Sequence, residues 1–417
     1  MKNLGNGVSY IGMDDLTLDL FEGQYILPEG VSYNSYLIDD EKIAVLDTVD
    51  ARCGDAWFEE ISAVLGDRTP DFLVVHHLEP DHSGMIAEFI RRYPSARIVA
   101  GAKALQMLPQ FLPEDMLLSG DSLCSVAEGD VLDLGSHKLK FISAPMVHWP
   151  EVMMSYDLSD GVFYSADAFG KFGALGKCGF YGSEDEEWTC EARRYYFNIV
   201  GKYGVQVQAL LKKASTLDIK AIRPLHGPLL GCRFDGCDGA EDSLGKYLEL
   251  YDCWSAYRPE TEGIFIAVAS IHGGTLAAAE KFAEILRAKG AGRVVVSDLS
   301  RSDIAENVED AFRHSKMVLA CASYDGGIFS PMSDFLHRLG AKGYRSRKVA
   351  LLENGSWAPC AARVMKDKLA LMKDVEIVGK PVTVHSRLKS SDIPALEELA
   401  DAIINARGQR TSRPSGS

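Results

Sequence analysis

Two kinds of hydrophobic pattern divide the chain. Up to about residue 250 it runs in short β-branched or aromatic stretches bounded by turn residues, at 31–38, 43–47, 72–76, 97–100, 138–143, 153–156 and 162–165. Stretches with helical spacing lie among and after them, at 56–65, 85–93, 102–111 and 191–213. Strands grouped in this way predict sheet layers covered by helices, an α/β or α+β sandwich. Beyond residue 262 the pattern becomes a regular alternation. Strands are predicted at 264–270, 293–297, 317–322, 348–353 and 375–382, and helices at 276–289, 302–314, 331–340, 359–373 and 393–406. Five strands in βα alternation predict a doubly wound parallel sheet, with ligands at the carboxyl ends of its strands.

The expected organisation is therefore a first domain over 1–250, a linker over 251–262 and a second domain over 263–406. The linker contains Arg258-Pro259-Glu260-Thr261-Glu262, with Gly263 directly after it. A polar tail over 407–417 is expected to be disordered.

Composition narrows the class. Hydrophobic residues at 47% and charged residues at 25% are those of a soluble globular protein, and 417 residues call for two cores. A formal charge of -15 argues against nucleic acid and against an anionic membrane surface. No stretch approaches the ~20 apolar residues of a membrane helix, and the start lacks a secretory pattern. A cytoplasmic location is expected. The nine cysteines are scattered and contain no Cys-x-x-Cys pair, which speaks against a disulfide framework and against a cysteine-held iron site.

The chemistry concentrates in His77-Leu78-Glu79-Pro80-Asp81-His82, directly after an apolar strand. Four metal-ligating side chains in six residues make poor core material unless they hold a metal. On an extended segment His77 and Glu79 face the same way, and the turn at Pro80 can redirect Asp81 and His82. His76 points away from His77 and is not counted. The same ligand types recur after later strands at His148, Asp167 and His226. Seven ligands suffice for two metals bridged by one carboxylate.

The run resembles the His-x-His-x-Asp-His signature of the metallo-β-lactamase superfamily, with Glu79 at the second histidine. A carboxylate there adds hard oxygen character and favours iron over zinc. His-x-Glu-x-Asp-His joined to a flavodoxin-like domain resembles the flavodiiron proteins, and the likeness covers the chain up to Ala406. It implies a metallo-β-lactamase-like αββα sandwich followed by a flavodoxin-like doubly wound parallel sheet. It also implies two non-haem iron ions, one held by His77, Glu79 and His148, the other by Asp81, His82 and His226, with Asp167 bridging.

Ser270-Ile271-His272-Gly273-Gly274-Thr275 ends the first strand of the second domain and opens a helix, where backbone N–H groups and the helix dipole suit a phosphate. It looks like the flavodoxin FMN-phosphate loop, with His272 in place of a hydroxyl residue. Ser323-Tyr324-Asp325-Gly326-Gly327 and Asn354-Gly355-Ser356-Trp357-Ala358 follow the third and fourth strands. In flavodoxin-like domains such loops flank the isoalloxazine ring. No Gly-x-Gly-x-x-Gly follows the first strand, so FMN is favoured over NAD or FAD.

The resemblance implies reduction of O2 to water, of NO to N2O, or both. Four electrons for O2 are available from two ferrous ions and one FMN hydroquinone, and two suffice to couple two NO. It further implies a separate electron donor, rubredoxin being the family's usual one, and a head-to-tail homodimer or a dimer of dimers. For Tyr195 and Tyr196 two readings stand, a place near the gas pocket and packing on a helix face, the second being favoured. A dizinc hydrolase and a pure electron carrier are the rival readings. Glu79 with the fused flavin domain opposes the first, and the complete ligand set opposes the second.

Overall fold

The computed structural model describes residues 2–116, 118, 120–183, 185–231 and 243–406. The tail expected to be disordered, with Cys232 and Cys237, lies outside the described residues. The chain forms two compact units that divide between Asp252 and Cys253. Residues 251–262, expected as a linker, hold the end of the helix Ser243–Ser255 and the start of the strand Thr261–Ala269.

The first unit is built on two sheets. One has the order Lys2–Asn3, Val8–Tyr10, Tyr36–Ile38, Ala44–Leu46, Phe72–Val74, Arg97–Gly101, Leu123–Val126. The other has the order Val131–Asp133, Lys138–Ser143, Met153–Asp157, Val162–Tyr164, Ala221–Arg223. Alternation along Lys138–Ser143 puts Leu139 and Phe141 inward and Lys138 and Lys140 outward. Leu139, Phe141 and Tyr164 of the second sheet join Tyr36, Leu46 and Val74 of the first in one core. Each such side chain contributes roughly 1.5–3 kcal/mol by burial. The helix Gly54–Leu65 buries Trp57, Phe58, Ile61 and Leu65, one stripe at helical spacing.

Two expectations need correction here. The stretch 31–38 is two strands: Val31–Tyr33 pairs with Met13–Asp15, while Tyr36–Ile38 joins the large sheet. The buried polar pair Asn34 and Ser35 breaks the run. Asn34 Nδ2 donates to the carbonyls of Pro224 (2.9 Å) and Gly227 (2.8 Å), and Ser35 Oγ donates to the carbonyl of Asp47 (2.9 Å). The helix expected over 191–213 is interrupted. An α-helix Glu186–Tyr195 passes into a π-helical turn Tyr196–Val200 and a 3-10 turn Gly201–Tyr203 before the α-helix Gly204–Ala214. Inserted π turns of this kind are frequent beside functional sites.

The second unit is a parallel sheet in the order Arg293–Asp298, Thr261–Ala269, His314–Tyr324, Lys348–Asn354, closed by two short strands, Glu376–Ile377 and Val382–Val384, on the last of these. The expected strand 375–382 is thus split around Gly379, which has φ +71°. The strand order reverses between Arg293–Asp298 and His314–Tyr324, on either side of Thr261–Ala269, and a crevice opens at the carboxyl ends there.

Candidate metal centre and flavin cleft

Each candidate metal ligand of the first unit sits just past a strand end. His77 follows Phe72–Val74, His148 follows Lys138–Ser143, Asp167 follows Val162–Tyr164 and His226 follows Ala221–Arg223. Pro80 starts a short helix, Pro80–Ser83, which turns Asp81 and His82 away from Glu79. Backbone bonds fix this corner, since the Thr48 hydroxyl donates to the carbonyl of His82 at 2.6 Å and the Ser83 hydroxyl to that of Leu78 at 2.7 Å.

The seven side chains form two adjoining clusters. His77, Glu79, His148 and Asp167 make one, and Asp81, His82 and His226 the other. In the first, Glu79 Oε2 lies 3.3 Å from His77 Nε2 and 3.1 Å from His148 Nε2. Asp167 faces both clusters: Oδ2 is 3.1 Å from His148 Nε2, and Oδ1 is 3.2 Å from His82 Nε2. In the second, His226 Nε2 is 3.2 Å from Asp81 Oδ2 and 2.9 Å from His82 Nε2. Separations near 3 Å match the edges of a coordination shell with bonds of about 2.1 Å.

Whether these residues fit a cation can be judged from their hydrogen bonds. Both oxygens of Asp81 and Oδ1 of Asp167 are buried and make no hydrogen bond among the described residues. His226 Nδ1 donates to the Ser32 carbonyl at 2.8 Å, which leaves Nε2 as the free lone pair, and that lone pair faces another imidazole nitrogen. Lone pairs that converge without donors between them fit a bound cation.

A third group, His137, Asp157 and Asp160, makes the contrast clear. His137 Nδ1 donates to Asp157 at 2.5 Å and Nε2 to the carbonyl of Asn6 at 2.7 Å, while Asp160 accepts from the Asn6 amide at 2.9 Å. Every ring nitrogen there is used, and the group reads as a structural tie. His76, two residues past the end of the strand Phe72–Val74, is likewise engaged, with Asp47 at 2.5 Å and Ser155 at 2.8 Å.

Electrostatics in the clusters follow from burial and pairing. Burial opposes ionisation of Glu79, but the His148 and His77 imidazoles outweigh it and hold the carboxyl at about 2. Burial likewise works against a charged His148, and Asp167 with Glu79 overcomes it, raising the ring to about 9. Glu79, 17% exposed, is the most open of the seven, so access is from its side.

Aromatic rings line the centre, and sequence reasoning missed most of them. Phe21 meets His226 edge-on at 5.3 Å, Tyr33 at 5.9 Å, and Trp149 meets His77 at 5.2 Å. Tyr195, for which the sequence favoured packing over a place near the pocket, lies 5.7 Å from the His226 ring. Its hydroxyl is buried without a hydrogen-bond partner among the described residues. Burial, then the charge of Asp167, pushes its ionisation well above the ordinary tyrosine range, so it stays protonated. The signal available in the sequence was the doublet Tyr195-Tyr196 at the helix end, which alone says nothing about direction.

In the second unit a cleft of about 900 Å³ opens at the strand ends. It is lined by Ser270, Ile271, His272, Gly274 and Thr275, by Ser323, Tyr324, Asp325 and Gly326, and by Asn354, Gly355, Ser356, Trp357 and Ala358. Gly273 and Gly327, also expected there, do not line it. Gly273 has φ +84° and acts as the left-handed residue before the helix Gly274–Ala288, donating to Ser270 Oγ at 3.1 Å. Gly327 pairs back on Tyr324 in a short hairpin. Ser323 has a second duty, since its hydroxyl oxygen accepts from the N–H groups of Cys360 and Ala361. A Cβ on Gly274 would fall 2.6 Å from the Ser386 carbonyl, so the helix start is a cradle only glycine leaves open. The wall formed by Ser386, Arg387 and Leu388 went unrecognised in the sequence because no motif marks it. Trp357 is 84% exposed at the rim, and Asn354 Nδ2 ties its loop to the Ser386 carbonyl at 3.0 Å.

Known proteins resemble the chain as follows. A family described as "ODP family beta lactamase" matches residues 31–227. A putative diflavin flavoprotein A 1 of Nostoc sp. is 29% identical over 348 residues, 82% of this chain and 56% of that protein. The chain thus spans little more than half of that relative. An anaerobic nitric oxide reductase flavorubredoxin of Aliivibrio fischeri is 27% identical over 362 residues, 85% of this chain and 70% of the relative. The crystal structure of the flavodiiron protein from Giardia intestinalis superposes with a TM-score of 0.86 at 23% identity, covering 96% of this chain and 95% of that one.

Proposed function

We propose that this chain, which belongs to the flavodiiron proteins, is an oxidoreductase that reduces O2 to water, NO to N2O, or both. The observation that carries the reading is the convergence of seven side chains into two clusters that share Asp167. His77, Glu79 and His148 would hold one iron, Asp81, His82 and His226 the other, with Asp167 between them. When bound, the iron pair supplies a binding place and electrons for a diatomic gas, and FMN supplies the reducing equivalents that restore it.

The chain's own residues do the rest. The buried rings of Phe21, Tyr33 and Tyr195 keep bulk water from the His226 side. The Tyr195 ring lies 5.7 Å from that of His226, and its hydroxyl, which stays protonated, would serve as a hydrogen-bond donor to a bound gas. In the second unit the N–H groups at the start of Gly274–Ala288 suit the FMN phosphate, and Ser323–Gly326 and Asn354–Ala358 suit the ring.

The A. fischeri relative is named a nitric oxide reductase and a flavorubredoxin, which supports NO as a substrate and rubredoxin-type chemistry in electron supply. We infer a separate rubredoxin-like donor and a head-to-tail homodimer or a dimer of dimers. No helix among the described residues is long and apolar enough to cross a membrane. Cys53, Cys124, Cys178, Cys253, Cys321 and Cys360 are free thiols, which suits a reducing compartment.

The test is metal and flavin content of the purified chain, followed by anaerobic reduction and exposure to either gas. Two irons and one FMN per chain, with reoxidation by O2 or NO, are expected. Two zincs, or no response to either gas, would return the first unit to the hydrolase reading.

A further inference from the structure

Asp167 is held by an unusual loop. The residue before it, Ala166, and the second after it, Phe169, both have positive φ, +48° and +67°, although neither is glycine. Such backbone persists only where the surroundings over-determine it. Local bonds account for part of the restraint: the Ser165 hydroxyl donates to the Ala168 carbonyl at 2.7 Å, and the Gly170 N–H to the Asp167 carbonyl at 3.1 Å. The remaining restraint is not local. The Phe169 N–H donates to the hydroxyl oxygen of Tyr251, 82 residues away, at 2.5 Å. The Phe169 ring stacks on the Tyr251 ring at 4.1 Å and 25°.

Tyr251 lies on the helix Ser243–Ser255, beyond the residues 31–227 that match the β-lactamase family. It is fully buried, and Tyr196 of the π-helical turn packs edge-on against it at 4.9 Å. One side chain therefore touches both irregular segments beside the metal centre, the Asp167 loop and the π turn that follows Tyr195. Orientation matters at Asp167 more than at any other ligand, because its two oxygens face different clusters.

We propose that Tyr251 is a positioning residue for the bridging carboxylate: it clamps the Phe169 turn and so fixes how Asp167 is shared between the two metal clusters. This rests on the diiron reading given above. Tyr251 acts on Asp167 through the loop. Removal of its hydroxyl leaves the Phe169 N–H buried and unpaired, and the turn gains an alternative, unstrained conformation. The carboxylate then loses its single orientation.

The test compares Tyr251→Phe, which keeps the ring stack, with wild type, both reconstituted with iron(II). Iron loss to a chelator in excess should be faster by about 10-fold, the lower end of what outer-shell contacts contribute to metal affinity. The exchange coupling of the iron pair, read by Mössbauer spectroscopy in applied field, should also change, because it passes through the bridge. A role confined to folding would lower thermal stability and leave the coupling of correctly loaded protein as in wild type, and that result would overturn the proposal. Should Tyr251→Phe fail to fold, Phe169→Leu removes the stack but keeps the N–H donor. It should retain wild-type coupling, and altered coupling in it would overturn the assignment to the hydroxyl. If wild type itself takes up no iron pair, the diiron reading fails and this inference with it. A loaded wild type with an indistinguishable Tyr251→Phe sinks this inference alone.

Discussion

His77 Nδ1 donates to Glu151 Oε1 at 2.8 Å, and the same oxygen accepts the Leu78 N–H at 3.0 Å. A carboxylate can only accept, so the bond fixes the His77 tautomer and turns its Nε2 to the cluster. Burial disfavours the Glu151 charge, but the His77 bond more than offsets it, and the carboxyl ionises below its ordinary range.

Glu151→Ala should therefore weaken metal binding at the His77 cluster by about 10–100-fold. Competition with a coloured chelator measures it. Glu151→Gln keeps an acceptor and should fall between the two. Equal affinity in all three proteins would show that His77 needs no such partner.

Tyr195→Phe separates chemistry from stability. The hydroxyl is buried and unpartnered among the described residues, so deleting it should leave the melting temperature unchanged or raise it, by about 1 kcal/mol in stability at most. Gas reduction should fall, by roughly 10²-fold if the hydroxyl delivers protons in the rate-limiting step. Stopped-flow reoxidation of the reduced protein gives the rate. A normal rate in a normally stable variant would return Tyr195 to packing.

His137 predicts a pH dependence of stability. Burial alone would lower its pKa, but Asp157, with the Asn6 carbonyl and Asp160, raises it to about 9. The folded state thus binds the proton more tightly than the unfolded chain, whose histidine titrates near ~6.5. The stabilisation is complete below that value and is lost as pH rises through about 9. After allowance for solvent screening it is worth about 1–2 kcal/mol. Urea midpoints from pH 6 to 10 should fall for wild type and change less for His137→Gln. Parallel curves would contradict this.

Gly274→Ala tests the flavin cradle. Its Cβ would stand 2.6 Å from the backbone carbonyl of Ser386, which has no side-chain freedom to yield. Overpacking of this kind costs about 1–3 kcal/mol, so FMN should bind roughly 10–100-fold more weakly while metal content stays unchanged. Flavin fluorescence titration of the apoprotein reads the first, metal analysis the second. Equal FMN affinity would place the phosphate elsewhere.

Much of this was legible in the chain because local signals carry it. Period-two and helical patterns mark most elements, and His77-x-Glu79-x-Asp81-His82 marks the centre, since so many polar ligands in so few residues have no packing explanation. The errors fell where long-range contacts override local pattern. Asn34 and Ser35 look like part of one strand, 31–38, and only their bonds to Pro224, Gly227 and Asp47 explain the break. Periodicity over 191–213 cannot register the inserted π turn, because an extra residue shifts a helix without changing its apolar character.

What the sequence by itself determined is the chemistry on offer: seven side chains of metal-ligating type, glycine-bearing loops after strands, and the two-unit order of strands and helices. What tertiary structure alone decided is direction. Only the folded sheets show that Asp167 turns one oxygen to each cluster, that Glu151 backs His77, that Tyr195 and Phe21 face His226, and that Tyr251 reaches 82 residues back to the Phe169 turn. The reason is physical. Local pattern encodes backbone preference and which face is buried, whereas the partner of a buried polar atom is chosen by whatever segment the completed core brings within about 3 Å of it.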